Sequence, residues 1–173
     1  LQRLLANAQT ALSRTLTRQE PVEIDLSRLP RSPLAVVLFA RDGIEEITVE
    51  EAARFDAEKD ARGRVRATLR EAPQALFHVR TMLRFGFPLT PLPLTPHSDL
   101  ATVLAEMLSS EEARAIFDTF TKGRKSFRIA WADGGHRRSV VWACAKMVKE
   151  RVPDLINDPS ESAWEALVRP FER

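Results

Sequence analysis

The chain of 173 residues has a single cysteine, Cys144, so no disulfide framework is available and a reducing, cytoplasmic compartment is expected. No apolar run is long enough to cross a membrane, and the stretch following Leu1 shows no signal-peptide pattern. Charge of one sign is also missing. With 26 basic against 24 acidic residues there is no global polyanion signal, and any nucleic-acid contact must come from a local patch. No Walker-type loop or nucleophile elbow occurs, no internal repeat is visible, and His78, His97 and His136 lack metal-ligand spacing. What remains is a length that fits one domain over residues 1–173, large enough to build a core without metals or disulfides.

Leu1, Leu4, Leu5, Ala8, Leu12 and Leu16 recur at helical spacing, which predicts an amphipathic amino-terminal helix over residues 1–20. Residues 21–26 alternate as a short strand, and Leu34–Ala40 reads as a buried strand. Thr48 and Glu51 have the form of a capping box, predicting a helix from Val49 through a charged stretch to about Arg70, either continuous or broken near Gly63. Arg62, Arg64, Arg66 and Arg70 then lie on its solvated face. A second helix is expected over Gln74–Arg84, with Leu76, Val79, Met82 and Leu83 as its apolar side. Alternate prolines from Pro88 to Pro96 preclude a central strand. Ser98 caps a helix over Asp99–Leu108, a second capping box at Ser109–Glu112 opens a helix to Phe120, and Thr121–Lys125 is a basic loop. A final short helix is expected over Ser162–Val168, within a carboxy-terminal extension of residues 151–173 appended to a core of residues 21–150.

The organising stretch runs from Lys125 to Lys149. Phe127–Trp131 alternates as a half-buried strand, Asp133-Gly134-Gly135 breaks it, and Val140, Val141, Cys144, Met147 and Val148 mark a helix. Cys144 on that apolar face reads as a small core residue rather than a nucleophile. His136, Arg137, Arg138 and Ser139 fall on the first helical turn, where free N–H groups and the helix dipole favour an anion. Basic residues there cost stability unless something negative sits opposite, so the turn reads as a phosphate site. A solvated corner is the alternative. His136 would donate to a phosphate or shuttle a proton, and Asp133 would hold a magnesium ion or simply shape the turn.

Asp133-Gly134-Gly135-His136-Arg137-Arg138, after a strand and before a helix, resembles the signature loop of the ParB/sulfiredoxin superfamily, whose ParB members carry Gly-x-Arg-Arg. Val22–Pro33 is similar to the first ParB strand and the proline segment behind it. Thr81–Gly86 followed by Pro91-Leu92 is similar to a Ser-Ile-x-x-x-Gly…Pro-Leu stretch of the family, so the matches run in order over residues 22–148. The resemblance implies an α+β fold: one ParB/sulfiredoxin-like domain with a small mixed sheet flanked by helices, plus the extra amino-terminal helix. It also implies a nucleotide-phosphate site with ATP and a divalent cation such as Mg2+ as cofactors, and it adds Arg80 and Thr81 to Gly134, Gly135, His136, Arg138 and Ser139 as nucleotide ligands. The loop lacks the cysteine of sulfiredoxins, which removes the nucleophile for thiol-based reduction. A standalone member with an amino-terminal helix is similar to plasmid fertility-inhibition factors of the Osa type, which block DNA transfer.

Two classes of function follow. One is an ATP-dependent phosphohydrolase and sequence-independent nuclease acting on DNA of mobile elements. In it Asp133, His136, Arg137 and Arg138 form the catalytic group, and Lys122, Arg124, Lys125 and Arg128 contact the DNA backbone. Glu50, Glu51 and Asp133 are its acidic candidates for a general base. The other is a non-catalytic module of the same fold that blocks a conjugation or secretion-system partner by protein contact.

Overall fold

The computed structural model describes residues 21–94 and 99–169, so the helix expected over residues 1–20, His97 and Ser98 lie outside the described residues. In chain order the elements are β1 (Val22–Ile24), β2 (Leu34–Phe39), α1 (Glu45–Glu51), β3 (Glu58–Lys59), β4 (Val65–Leu69), β5 (Arg84–Gly86), α2 (Leu100–Leu108), α3 (Glu111–Phe120), β6 (Thr121–Gly123), β7 (Lys125–Trp131), α4 (Arg138–Arg151), β8 (Leu155–Asn157) and β9 (Trp164–Val168), with 3-10 turns at Ala53–Phe55 and Pro73–His78. This is a mixed α+β architecture of small sheets and helices. Among the described residues no helix is long and apolar enough to cross a membrane.

The length expected for one domain is divided between two compact units. One takes β1 with residues 92–94, 99–110 and 121–169, and the other takes Asp25–Pro91 and Glu111–Phe120.

The second unit is built on an antiparallel sheet in the order β3-β4-β2-β5. It buries Val36, Leu38, Ala52, Phe55, Val65, Ala67, Leu69, Leu76 and Val79 together. Three expectations are overturned here. Thr48 does not cap a helix: it is buried inside α1, its hydroxyl donating back to the Ile44 carbonyl at 3.1 Å, the local bond that lets threonine sit in a helix interior. The helix also ends at Glu51 instead of running to Arg70, because Val65, Ala67 and Leu69 alternate inward every second residue as β4. Dense charge hides that alternation, and it puts the arginines of the stretch on a hairpin rather than a helix face. Burial opposes ionisation of Asp60, yet bonds from the backbone and side chain of Arg64, from the Arg66 side chain and from the Arg62 backbone hold its carboxyl well below the usual range. Finally, Gln74–Arg84 is not a helix. Pro73–His78 makes a 3-10 turn that buries Leu76, and Arg84–Gly86 leaves it to pair with β2, whose backbone is then bonded on both edges. Phe87 closes this unit by stacking on Phe120 with ring centres 5.4 Å apart.

The first unit centres on β7, flanked by β8 and β9, both parallel to it. Helix α4 is the crossover from β7 to β8, as parallel neighbours require. Its inner face buries Cys144 and Val148, and α2 packs against it, capped by the Asp99 carboxylate. The expected final helix is instead β9. Its alternating Trp164-Glu165-Ala166-Leu167-Val168 pairs with Phe127–Trp131, so the carboxy-terminal extension completes the sheet. The basic loop is also shorter than expected, since Thr121–Gly123 forms β6 against β1. Gly123 has φ +80°, and a Cβ there would meet the Pro21 carbonyl oxygen at 2.1 Å, so no other residue fits.

Candidate functional site

The candidate site is the turn from β7 into α4. Trp131 ends the strand, and the Gly134 N–H donates to its carbonyl at 3.0 Å, closing the turn. Gly134 takes the left-handed conformation at φ +73°, whereas Gly135 does not use its freedom in that way. Gly135 lies against Asp133, and its N–H donates to Asp133 Oδ1 at 3.1 Å. Asp133 Oδ2 accepts from the Arg137 guanidinium at 2.5 Å, and that guanidinium stacks 4.3 Å over the Trp131 ring. The Gly135 N–H, and secondarily Arg137, hold the Asp133 carboxyl below its usual range.

Asp133 is therefore the hub of a self-bonded turn. Both its oxygens are committed, and among the described residues no three histidine, cysteine, aspartate or glutamate side chains gather as metal ligands. Arg137, expected to touch phosphate, is the clamp between Asp133 and Trp131.

The helix starts later than its sequence pattern implies. It begins at Arg138 with Arg137 at the cap position, so His136 precedes the first helical turn instead of lying on it. No side chain caps this end and no acidic residue occupies its first turn. The first intrahelical bond is from the Val141 N–H to the Arg137 carbonyl, which leaves the N–H groups of Arg138, Ser139 and Val140 without helical acceptors. His136, Arg138 and Ser139 are exposed around them, and Arg138 has no ion-pair partner among the described residues.

The four cations expected on DNA are all engaged by carboxylates of their own unit. Lys122 lies 3.7 Å from Glu23, Lys125 is 2.7 Å from Asp154, and Arg128 is 2.8 Å from Glu165. Arg124 is only 6% exposed and pairs with Asp158 at 3.0 Å. Burial would raise the Asp158 carboxyl, but the N–H groups of Glu161 and Ser160 together with Arg124 outweigh it and leave it low. With Ser126, whose hydroxyl donates to the Glu161 carbonyl, Arg124 ties down the link that carries the chain across β7 from β8 to β9. Arg124 is thus a structural cation.

Arg80 and Thr81 belong to the other unit, where both the N–H and the hydroxyl of Thr81 donate to Glu51 at 2.9 Å. Those two bonds hold the Glu51 carboxyl below its usual range and occupy Thr81. Glu50 is exposed on the same helix. Two tryptophans carry more than the sequence reading assigns them: Trp131 as the platform under Arg137, and Trp142, exposed on α4. The signal for Trp142 was available, since it lies off the Cys144–Val148 face by helical angle.

Comparison with protein-family models, with curated proteins and with solved structures finds no match to this chain.

Proposed function

We propose that the turn at residues 133–139 receives a phosphate of a nucleotide such as ATP, and that the chain is a ParB/sulfiredoxin-like protein acting on DNA of mobile elements. The observation that carries this reading is the uncapped, acid-free start of α4, where Arg138 and the first N–H groups have no partner among the described residues. Supporting it, the Asp133–Arg137–Trp131 clamp holds the turn in place before any ligand arrives. The ordered motif resemblance over residues 22–148 supports the DNA-related role and its extension to plasmid-transfer inhibition.

Recognition, rather than hydrolysis, is the chemistry these residues supply. Asp133 is spent on the turn and is not placed to act as a base, and Arg137 is spent on Asp133. His136, Arg138 and Ser139 remain to bind the phosphate. The test is calorimetric titration with ATP. Arg138→Ala is expected to weaken binding by about 1.5–3 kcal/mol, the range for a charge-assisted contact. Unchanged affinity with an intact circular-dichroism spectrum would take Arg138 out of the site.

A further inference from the structure

Helix α4 turns a second face outward, distinct from the apolar face packed in its own unit. Trp142 lies on it at 79% exposure, the most exposed of the large hydrophobic residues described. Arg138 stands four residues before it, Lys146 four after and Lys149 seven after, so all four share one stripe of the helix. The stripe rises about 16 Å at 1.5 Å per residue. Arg138, Lys146 and Lys149 form no ion pair among the described residues, and Glu150, at the far end, is the one carboxylate of the helix. Lysine near a helix carboxy terminus is explained by the dipole, but neither Arg138 at the opposite end nor a bare indole between them is.

We propose that this stripe binds single-stranded nucleic acid, with Trp142 stacking on a base and Arg138, Lys146 and Lys149 lying along the phosphates. Charge complementarity selects a polyanion, and the exposed ring selects one whose bases are free to stack. A duplex offers the phosphates but keeps its bases stacked inside. A membrane surface would need a broad apolar face, and here a single large ring stands among cations while Cys144 and Val148 of the helix are buried on its inner side. This site is separate from the nucleotide reading of the turn and shares only Arg138 with it.

The probe is fluorescein-labelled oligothymidylate, measured by anisotropy across a salt series. Binding is expected at low salt and should fall steeply as salt rises. Trp142→Ala should weaken it about tenfold or more, and Trp142→Phe should retain most of it, since a phenyl ring still stacks. Lys146→Glu with Lys149→Glu should lower affinity and flatten the salt dependence, with the far-ultraviolet spectrum unchanged because both positions are exposed. ATP affinity should be untouched by Trp142→Ala, so a failed nucleotide site and a failed strand site give different results. The proposal is overturned if oligothymidylate does not bind at low salt. It is equally overturned if Trp142→Ala binds as the parent does, or if blunt duplex binds as tightly and independently of Trp142. Concentration-dependent self-association abolished by Trp142→Ala would assign the face to a protein interface instead.

Discussion

Two basic groups of the same unit teach opposite lessons. Lys122, Arg124, Lys125 and Arg128 form the denser run in the chain, and each meets a carboxylate: Glu23, Asp158, Asp154 and Glu165. Arg138, Lys146 and Lys149 are spread along α4, and none is paired among the described residues. Counting cations along the chain picks the first group, and the folded charge balance picks the second. What matters for an anionic ligand is charge left over after folding. On the run that charge is spent on β1, β9, the turn before β8 and the link between β8 and β9. The second unit repeats the spent pattern, with Arg64 and Arg66 on Asp60, Arg70 on Asp56 and Arg54 on Glu71.

The strongest way to break this contrast is at Arg124. Arg124→Met should cost about 3–5 kcal/mol in urea unfolding, because it leaves Asp158 under the β8–β9 link without its cation. Full stability would show that Arg124 is not structural and return it to the ligand-binding candidates. Next comes Asp60. Asp60→Asn should cost roughly 1–3 kcal/mol, the scale of removing charge-assisted bonds from a partly buried acceptor. Because the folded state lowers this carboxyl, its contribution is fully present above the unfolded value of 3.8 and fades as pH falls below it toward the folded value. The variant should therefore lose less stability than the parent between neutral and acidic pH, and equal slopes would discount Asp60.

The two faces of α4 sharpen the comparison further. Cys144, on the inner face, is buried, and burial pushes its thiol up to about 11. Cys144→Ala should cost about 1 kcal/mol and leave both ATP and oligothymidylate binding intact. The folded protein should react slowly with thiol reagents at neutral pH. The smallest effect is expected on the paired run. Lys122→Ala with Arg128→Ala should cost under about 1 kcal/mol per exposed pair and leave oligothymidylate affinity near that of the parent. A large loss of binding there would reverse the contrast between the two groups.

The locally encoded elements are the ones that sequence reading recovers. β1, β2, α2 and α3 follow their patterns closely, and the β7–turn–α4 passage is legible because alternation, a glycine break and helical spacing succeed one another within a few residues. β4, β5 and β9 are not legible from the sequence, because short, charged or ambiguous segments take their conformation from a partner strand, and no partner is visible along the chain. The site divides in the same way. The glycine turn, its basic residues and the buried role of Cys144 follow from adjacent residues alone. Whether a cation is free does not. Lys125 and Arg128 find their carboxylates 29 and 37 residues further on, Thr81 meets Glu51 30 residues back, and Arg137 lies over Trp131 only because the turn folds between them. Backbone preference is short-ranged and can be read from neighbours, whereas the pairing of charges and of edge strands is settled only when distant segments are brought together.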